Sequence, residues 1–342
     1  MKMNRTHRNP PIITRKGMRM GQLVDGQWDG SDERPTDRNG AFIRASSAFR
    51  HWITPDGTAG ISGDGGFPAE PGRYHLFVAP SCPWAHRAVI YRKLKDLESV
   101  ISISDADAPK SEGWSYTEGY DDMKPRDDGI FRLHQVYTSA DPAYTGKVTV
   151  PTLWDRERKT IVNNESSEII RMFNSAFDQV GANPIDYCPA DLHAEIDEVN
   201  AFIYEHINNG VYRTGFAKTQ AAYEEAVAKV FVGMDWREKR LGQQRYLAGE
   251  RITEADWRTF PTLLRFDPVY FGHFKCNLRR LQDYPNLSDY TRELYQWPGI
   301  AETCNFTEIK SGYYISMPQL NPNQIVPAGP DMSWLQSPHS RT

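Results

Sequence analysis

The sequence predicts a small α/β unit followed by an all-helical one. Three observations carry this. Residues 73–79, RYHLFVA, alternate apolar side chains and stop at Pro80, as a buried strand does. A Cys-Pro turn, a helical pattern and a second short strand, VISIS at 100–104, come next, and strand, helix and strand in that order make a βαβ unit. Beyond the linker GANPIDYCPA at 181–190 the apolar spacing turns helical and stays so.

At about 150 residues per domain, a chain of 342 residues holds two domains. The expected divisions are an irregular leader (1–70), an α/β domain (71–180), a helical domain (181–316) and an extended tail (317–342). The leader is rich in Gly, Pro, Asp and Ser and shows no long periodic segment, although the aromatics of AFRHWI (48–53) should pack on the body. After SCPW a helix is set by Val89, Ile90, Leu94 and Leu97. A polar insertion fills 105–145. KVTVPTLWD (147–155) is a strand broken by Pro151, and TIVNNESSEIIRMFN (160–174) gives a short strand, a polar turn and a helix.

In the second half Leu192, Ile196, Val199, Ile203 and Ile207 step by about one helical turn. Gly210 stands where a C-terminal capping glycine belongs. Tyr212 would then lie at a helix end near the surface. Thr219 caps the next helix. Thr253 and Asp256 have capping-box spacing and start another.

Composition excludes several classes. The net charge of -4 argues against nucleic acid or an anionic membrane as the main partner. No apolar run approaches the ~18 residues of a membrane helix. The first 24 residues hold six Lys or Arg and no acid, and are read as a basic tail rather than a transit peptide because Pro10-Pro11 interrupts them. Cys82, Cys188, Cys276 and Cys304 are far apart, with no C-x-x-C pair or metal-ligand spacing. No metal is expected, the thiols should be reduced, and the compartment is read as cytoplasmic.

Chemistry concentrates at Ser81-Cys82-Pro83-Trp84-Ala85-His86-Arg87, between a strand and a helix. Unpaired N–H groups and the positive end of the helix dipole favour a thiolate at Cys82, so its pKa should fall. Pro83 suits the first helical turn, and Arg87 adds positive potential. The alternative is an inert buried cysteine. Ala85 occupies the place of a second thiol in a dithiol site, so a mixed disulfide on Cys82 must be cleared from outside. Pro151 raises the alternative of a cis bond that frees the Val150 backbone to pair with a bound peptide. Glu165-Ser166 opens a helix and can bind a carboxylate and an ammonium group, or serve as a plain cap.

These residues, together with KVTVPTLWD, NNGVYRTGF, ERITEADWRTF, RFDPVYFGHFKCNLRR and LNPNQIVPAGP, resemble the glutathionyl-hydroquinone reductases, the Xi class of the glutathione transferase superfamily. The resemblance runs from about residue 20 to 330. It implies a thioredoxin-like domain followed by an all-helical glutathione-transferase domain, assembled as a homodimer. It implies glutathione and a glutathionylated hydroquinone as the bound partners. Carried over, Cys82 matches the nucleophile, Tyr212 the proposed proton donor or acceptor, and Tyr270 and Tyr313 tyrosines that lower the cysteine pKa. Trp114, Lys147, Val150, Glu165 and Ser166 match glutathione-binding positions. Position 147 is often arginine in that family; lysine keeps the charge and loses the bidentate grip. Two other readings stand beside this one: an omega-like thioltransferase or dehydroascorbate reductase using the same Cys82, and a non-catalytic scaffold with the same fold.

Overall fold

The structure, a computed structural model, describes residues 21–31, 34–61, 65–107 and 112–341. The basic N-terminal run lies almost entirely outside the described residues.

The leader is more ordered than its composition suggests. Strands β1 (Gln22–Val24) and β2 (Gln27–Asp29) form an antiparallel hairpin. Its two-residue Asp25-Gly26 turn has positive φ at both positions, as the right-handed twist of a tight hairpin requires. Strands β3 (Trp52–Thr54) and β4 (Gly66–Pro68) pair in parallel. The missing signal was length: three-residue strands show no period.

The central sheet has the order β10-β9-β5-β6. Strand β5 (Tyr74–Val78) lies parallel to β6 (Ile101–Asp105) and antiparallel to β9 (Thr152–Asp155), which pairs antiparallel with β10 (Thr160–Asn163). Every residue of β5 is buried, which explains why Phe77 breaks the polar-apolar alternation. Between β5 and β6 runs α1 (Pro83–Leu94), the expected crossover helix. Leu97 lies beyond its end, in a short 3-10 turn.

The 105–145 segment is not simply a polar insertion. It carries β7 (Ser115–Tyr116), β8 (Phe131–Arg132) and α2 (Leu133–Ala140). Helix α2 was hidden because its start is closed by Gln135 Oε1, which accepts from the Arg132 amide at 3.0 Å, rather than by Ser, Thr, Asp or Asn at the N-cap. Helix α3 (Ser166–Ser175) follows β10.

The second half is helical: α4 (His193–Ile203), α5 (Gly210–Phe216), α6 (Gln220–Leu241), α7 (Glu254–Leu264), α8 (Pro285–Tyr295) and α9 (Phe306–Ser316). Thr219 accepts from the Ala222 amide at 3.2 Å, and Thr253 with Asp256 closes a capping box. Both caps are where the sequence puts them. Gly210 is a correction. It does not end a helix; a π-turn (Tyr204–Asn208) carries α4 onward, and Gly210 is the first residue of α5. A second π-turn (Phe266–Tyr270) extends α7 past Arg265. Both π-turns border the site described next.

Candidate active site

Cys82 is the N-cap of α1, with Pro83 in the first turn. Its thiol points across to the end of β9, where Sγ donates to the Val150 carbonyl at 3.6 Å. The Val150–Pro151 peptide is cis. This loop is held from behind by α2: the Tyr137 hydroxyl donates to Thr149 O at 3.0 Å and accepts from Asn164 Nδ2 at 3.0 Å.

The electrostatics of Cys82 differ from the sequence expectation. Burial pushes its thiol up from the ordinary value. The Ala85 amide, the Arg265 charge, the Trp84 amide and the Arg44 charge pull it down without cancelling that burial. The helix N-terminus therefore acts as expected, but a half-buried sulfur loses more hydration than the amides return.

Arg265 was not anticipated. It is fully buried and pins the turn that carries Cys82. Its Nε donates to Ser81 O at 2.9 Å, Nη2 to Pro80 O at 2.8 Å and Nη1 to Pro261 O at 2.9 Å. Nη1 also lies 3.1 Å from His86 Nδ1, and His86 Nε2 meets Thr303 Oγ1 at 2.8 Å. The sequence hint was an arginine within the apolar run LLRF.

Arg87 does not face the sulfur as expected. It is buried between the two halves of the chain, donating to Ser166 Oγ at 3.2 Å, Asn208 Oδ1 at 3.0 Å and Arg258 O at 3.1 Å. Burial lowers its pKa to about 9.

The three candidate tyrosines meet. Tyr313 Oη lies 2.6 Å from Tyr212 Oη and 3.0 Å from Tyr270 Oη. Tyr212 is only 8% exposed, which corrects the expected surface position. Burial raises the pKa of all three hydroxyls, and at Tyr212 the neighbouring Cys82 adds to the rise. All three are protonated donors at neutral pH. Tyr270 and Tyr313 were expected to lower the Cys82 pKa; the groups that do so in the structure are the amides and arginines named above.

Two glycines permit this cluster. A Cβ on Gly312 would lie 2.3 Å from Ser81 Cβ, so α9 approaches the Cys82 turn closely only because that position is bare. A Cβ on Gly215 would lie 2.4 Å from the Phe274 ring, which packs on Tyr212, Tyr270 and Tyr313.

Glu165 and Ser166 stand at the start of α3. Glu165 is the N-cap, accepting from the Ser167 amide at 3.1 Å and from Ser47 Oγ at 3.0 Å. Burial pushes its carboxyl up, but the Ser167 and Ser47 hydrogen bonds and the Arg87 charge outweigh this and hold it below its ordinary value. It is therefore an anion near neutrality. The Trp114 carbonyl accepts from the Leu133 amide at 2.9 Å. Lys147 lies near Asp29, whose carboxyl is held low chiefly by Ser31 and further by this lysine.

The leader crosses the face of the site. Arg44 Nε donates to Asn209 Oδ1 at 2.7 Å, and its guanidinium carbon lies 4.8 Å from the ring centres of both Trp84 and Tyr212. The Phe49 amide meets Asn164 Oδ1 at 3.0 Å, and Arg50 Nε meets Glu168 Oε2 at 2.7 Å. No group of three or more His, Cys, Asp or Glu side chains is arranged to hold a metal ion among the described residues. No helix among them is long and apolar enough to cross a membrane.

Comparison with known proteins places the chain in a family. The glutathione S-transferase N-terminal domain family matches residues 81–176 and the C-terminal domain family residues 220–293. The glutathionyl-hydroquinone reductase YqjG of Escherichia coli is 50% identical over 326 residues, 94% of this chain and 98% of that one. Its glutathione-bound structure aligns with a TM-score of 0.84, covering 94% of this chain and 99% of that one. The glutathionyl-hydroquinone reductase PcpF of Sphingobium chlorophenolicum is 51% identical over 312 residues, 91% of this chain and 96% of that one. A Xi-class glutathione transferase from Natrialba magadii aligns at 43% identity and TM-score 0.83, covering 96% of this chain and 98% of that one. The chain thus belongs to the glutathionyl-hydroquinone reductases, the Xi class of the glutathione transferase superfamily.

Proposed function

We propose that this protein reduces S-glutathionyl-hydroquinones to hydroquinones through a mixed disulfide between Cys82 and glutathione. The observation that carries the reading is the pairing of a lone helix-capping thiol with a protonated tyrosine cluster next to it. Glutathione lies extended, its backbone paired with Val150 and its γ-glutamyl end on Glu165 and Ser166. Trp114 and Lys147 complete its site. Cys82 sulfur bonds to the glutathione sulfur, and the carbon–sulfur bond breaks. Tyr212 protonates the ring carbon ahead of that cleavage, and the electron pair of the broken bond passes through the ring to the adjacent oxygen. The sum is Cys82–SH plus the glutathionylated ring giving Cys82–S–S–glutathione plus the ring bearing hydrogen. A raised thiol pKa suits this balance, because the thiolate is then the stronger nucleophile and the proton it gives up equals the one the ring oxygen takes up. A second glutathione attacks the mixed disulfide, releasing glutathione disulfide and restoring Cys82. Tyr270 and Tyr313 hold Tyr212 as a donor.

With Ala85 in place of a resolving cysteine, the mixed disulfide accumulates when free glutathione is withheld. Intact mass after adding glutathionyl-hydroquinone alone should show one glutathionyl unit on Cys82 and released hydroquinone. No adduct from that substrate, with an adduct forming from glutathione disulfide, favours the thioltransferase reading. We place the enzyme in the cytoplasm as a homodimer, with four free cysteines among the described residues; light scattering on the purified protein tests the dimer.

A further inference from the structure

We propose that Arg44 is a further catalytic residue, whose guanidinium takes the ring oxygen of the hydroquinone as that oxygen becomes negative. This rests on the reaction proposed above. Arg44 comes from the leader, outside both matched transferase domains, and is nonetheless held in place. Its Nε is bonded to Asn209, and its guanidinium lies over Trp84 and Tyr212 at 4.8 Å each. The preceding turn is fixed to the start of α6: the Lys218 amide donates to Gly40 O at 3.0 Å and Thr219 Oγ1 to Asn39 O at 2.9 Å. Three residues on, Ser47 bonds Glu165. Neither Nη of Arg44 has an acceptor among the described residues, so its two terminal donors are free for a ligand. The residue is only half-buried, and its charge acts on both Cys82 and Tyr212.

The chemistry calls for a cation there. When Tyr212 protonates the ring carbon, the adjacent hydroxyl gives up its own proton, which restores Tyr212, and the ring oxygen becomes a carbonyl. When Cys82 sulfur takes the glutathione sulfur, the carbon–sulfur pair flows through the ring to that oxygen and leaves a phenolate. The phenolate then takes up one proton, equal to the one lost by Cys82. Tyr212 serves the carbon, so a second group is needed at the oxygen. A fixed guanidinium beside an aromatic wall stabilises such an anion with little reorganisation.

The test compares two ways of loading Cys82 in the full-length enzyme. Single-turnover rates are measured with a glutathionyl-hydroquinone and with glutathione disulfide, which yields no phenolate. Loss of a fixed oxyanion donor costs about 10²-fold, so Arg44→Gln should lower the ratio of the two rates by about that factor. Arg44→Lys, which keeps the charge, should recover part of it. The disulfide reaction reports that the variant is folded, and a modest fall there is expected because Arg44 also acts on Cys82. Equal falls in both reactions overturn the proposal and assign Arg44 to the thiolate or to glutathione. An unchanged ratio overturns it as well. A wild-type enzyme that reacts with the disulfide alone instead removes the underlying reaction.

Discussion

The phenolic oxygens of Tyr212 and Tyr313 lie 2.6 Å apart, although the residues are 101 positions apart in the chain. Tyr270 completes the hydroxyl chain at 3.0 Å from Tyr313. Because Tyr212 is the member whose titration responds to Cys82, Tyr212→Phe should slow formation of the Cys82 adduct from glutathionyl-hydroquinone by about 10²-fold, the usual worth of a general acid. Its reduction by glutathione should change far less. Rapid-quench mass spectrometry separates the two, and equal slowing of both would remove the proton-donor role.

Cys82→Ser should abolish turnover while leaving the fold intact. The change is small, at the half-buried end of a helix whose packing lies elsewhere. A melting temperature within a few degrees of the parent and no adduct by mass is the expected pair of results. Residual turnover above a few per cent means another residue is the nucleophile.

Burial raises the Cys82 thiol above its ordinary value of 9.0. The group is therefore mostly protonated at neutral pH, and its thiolate fraction increases as pH rises through the shifted value. Iodoacetamide labelling of Cys82 should accelerate with pH, with its midpoint on the alkaline side of a free thiol. A rate already level at pH 7 would show that the helix amides and arginines win over burial.

Gly312→Ala should disturb catalysis through packing. The added methyl meets Ser81 at 2.3 Å, so α9 must move away from the Cys82 turn and take Tyr313 with it. Overpacking of this kind costs about 1–3 kcal/mol. Urea unfolding should register that loss, and adduct formation should slow at least tenfold. Wild-type behaviour in both would mean that the turn yields freely.

Arg265→Lys keeps the charge and loses the fork that holds Ser81, Pro80 and Pro261 together. A cost of about 2–3 kcal/mol is expected from the buried carbonyls left short of donors. Both half-reactions should slow alike, since the sulfur itself is displaced. Selective slowing of the first would point to a role in ring chemistry instead.

The sequence made the β5-turn-α1 unit and the caps at Thr219 and Thr253 legible because each is set by neighbours in the chain. Cys82, its N-cap position and the Glu165-Ser166 helix start were readable for the same reason. Arg44 and Arg265 were not. Their partners lie 165 and 184 residues away, and an arginine in an irregular leader has no local period to mark it. The fall in the Cys82 pKa was misjudged because the dipole is a local property and burial a tertiary one. The tyrosines were reached through family resemblance, since spacing alone shows only half-buried aromatics.

The turn at Tyr204–Asn208 carries a wider consequence. A π-turn is an α-helix holding one residue more than its ladder can pair, and here the Asn209 amide reaches back five residues to Tyr204 O. The two residues that close its wide ring support opposite sides of the site: Asn208 helps hold Arg87, and Asn209 holds Arg44. Deleting a single residue from this turn would restore a regular helix and swing everything downstream by about 100°. Arg44 would lose Asn209 and Arg87 would lose Asn208, although no side chain touching them had been chemically altered. The alignment of this site is thus written in the count of residues along a helix as well as in their identities.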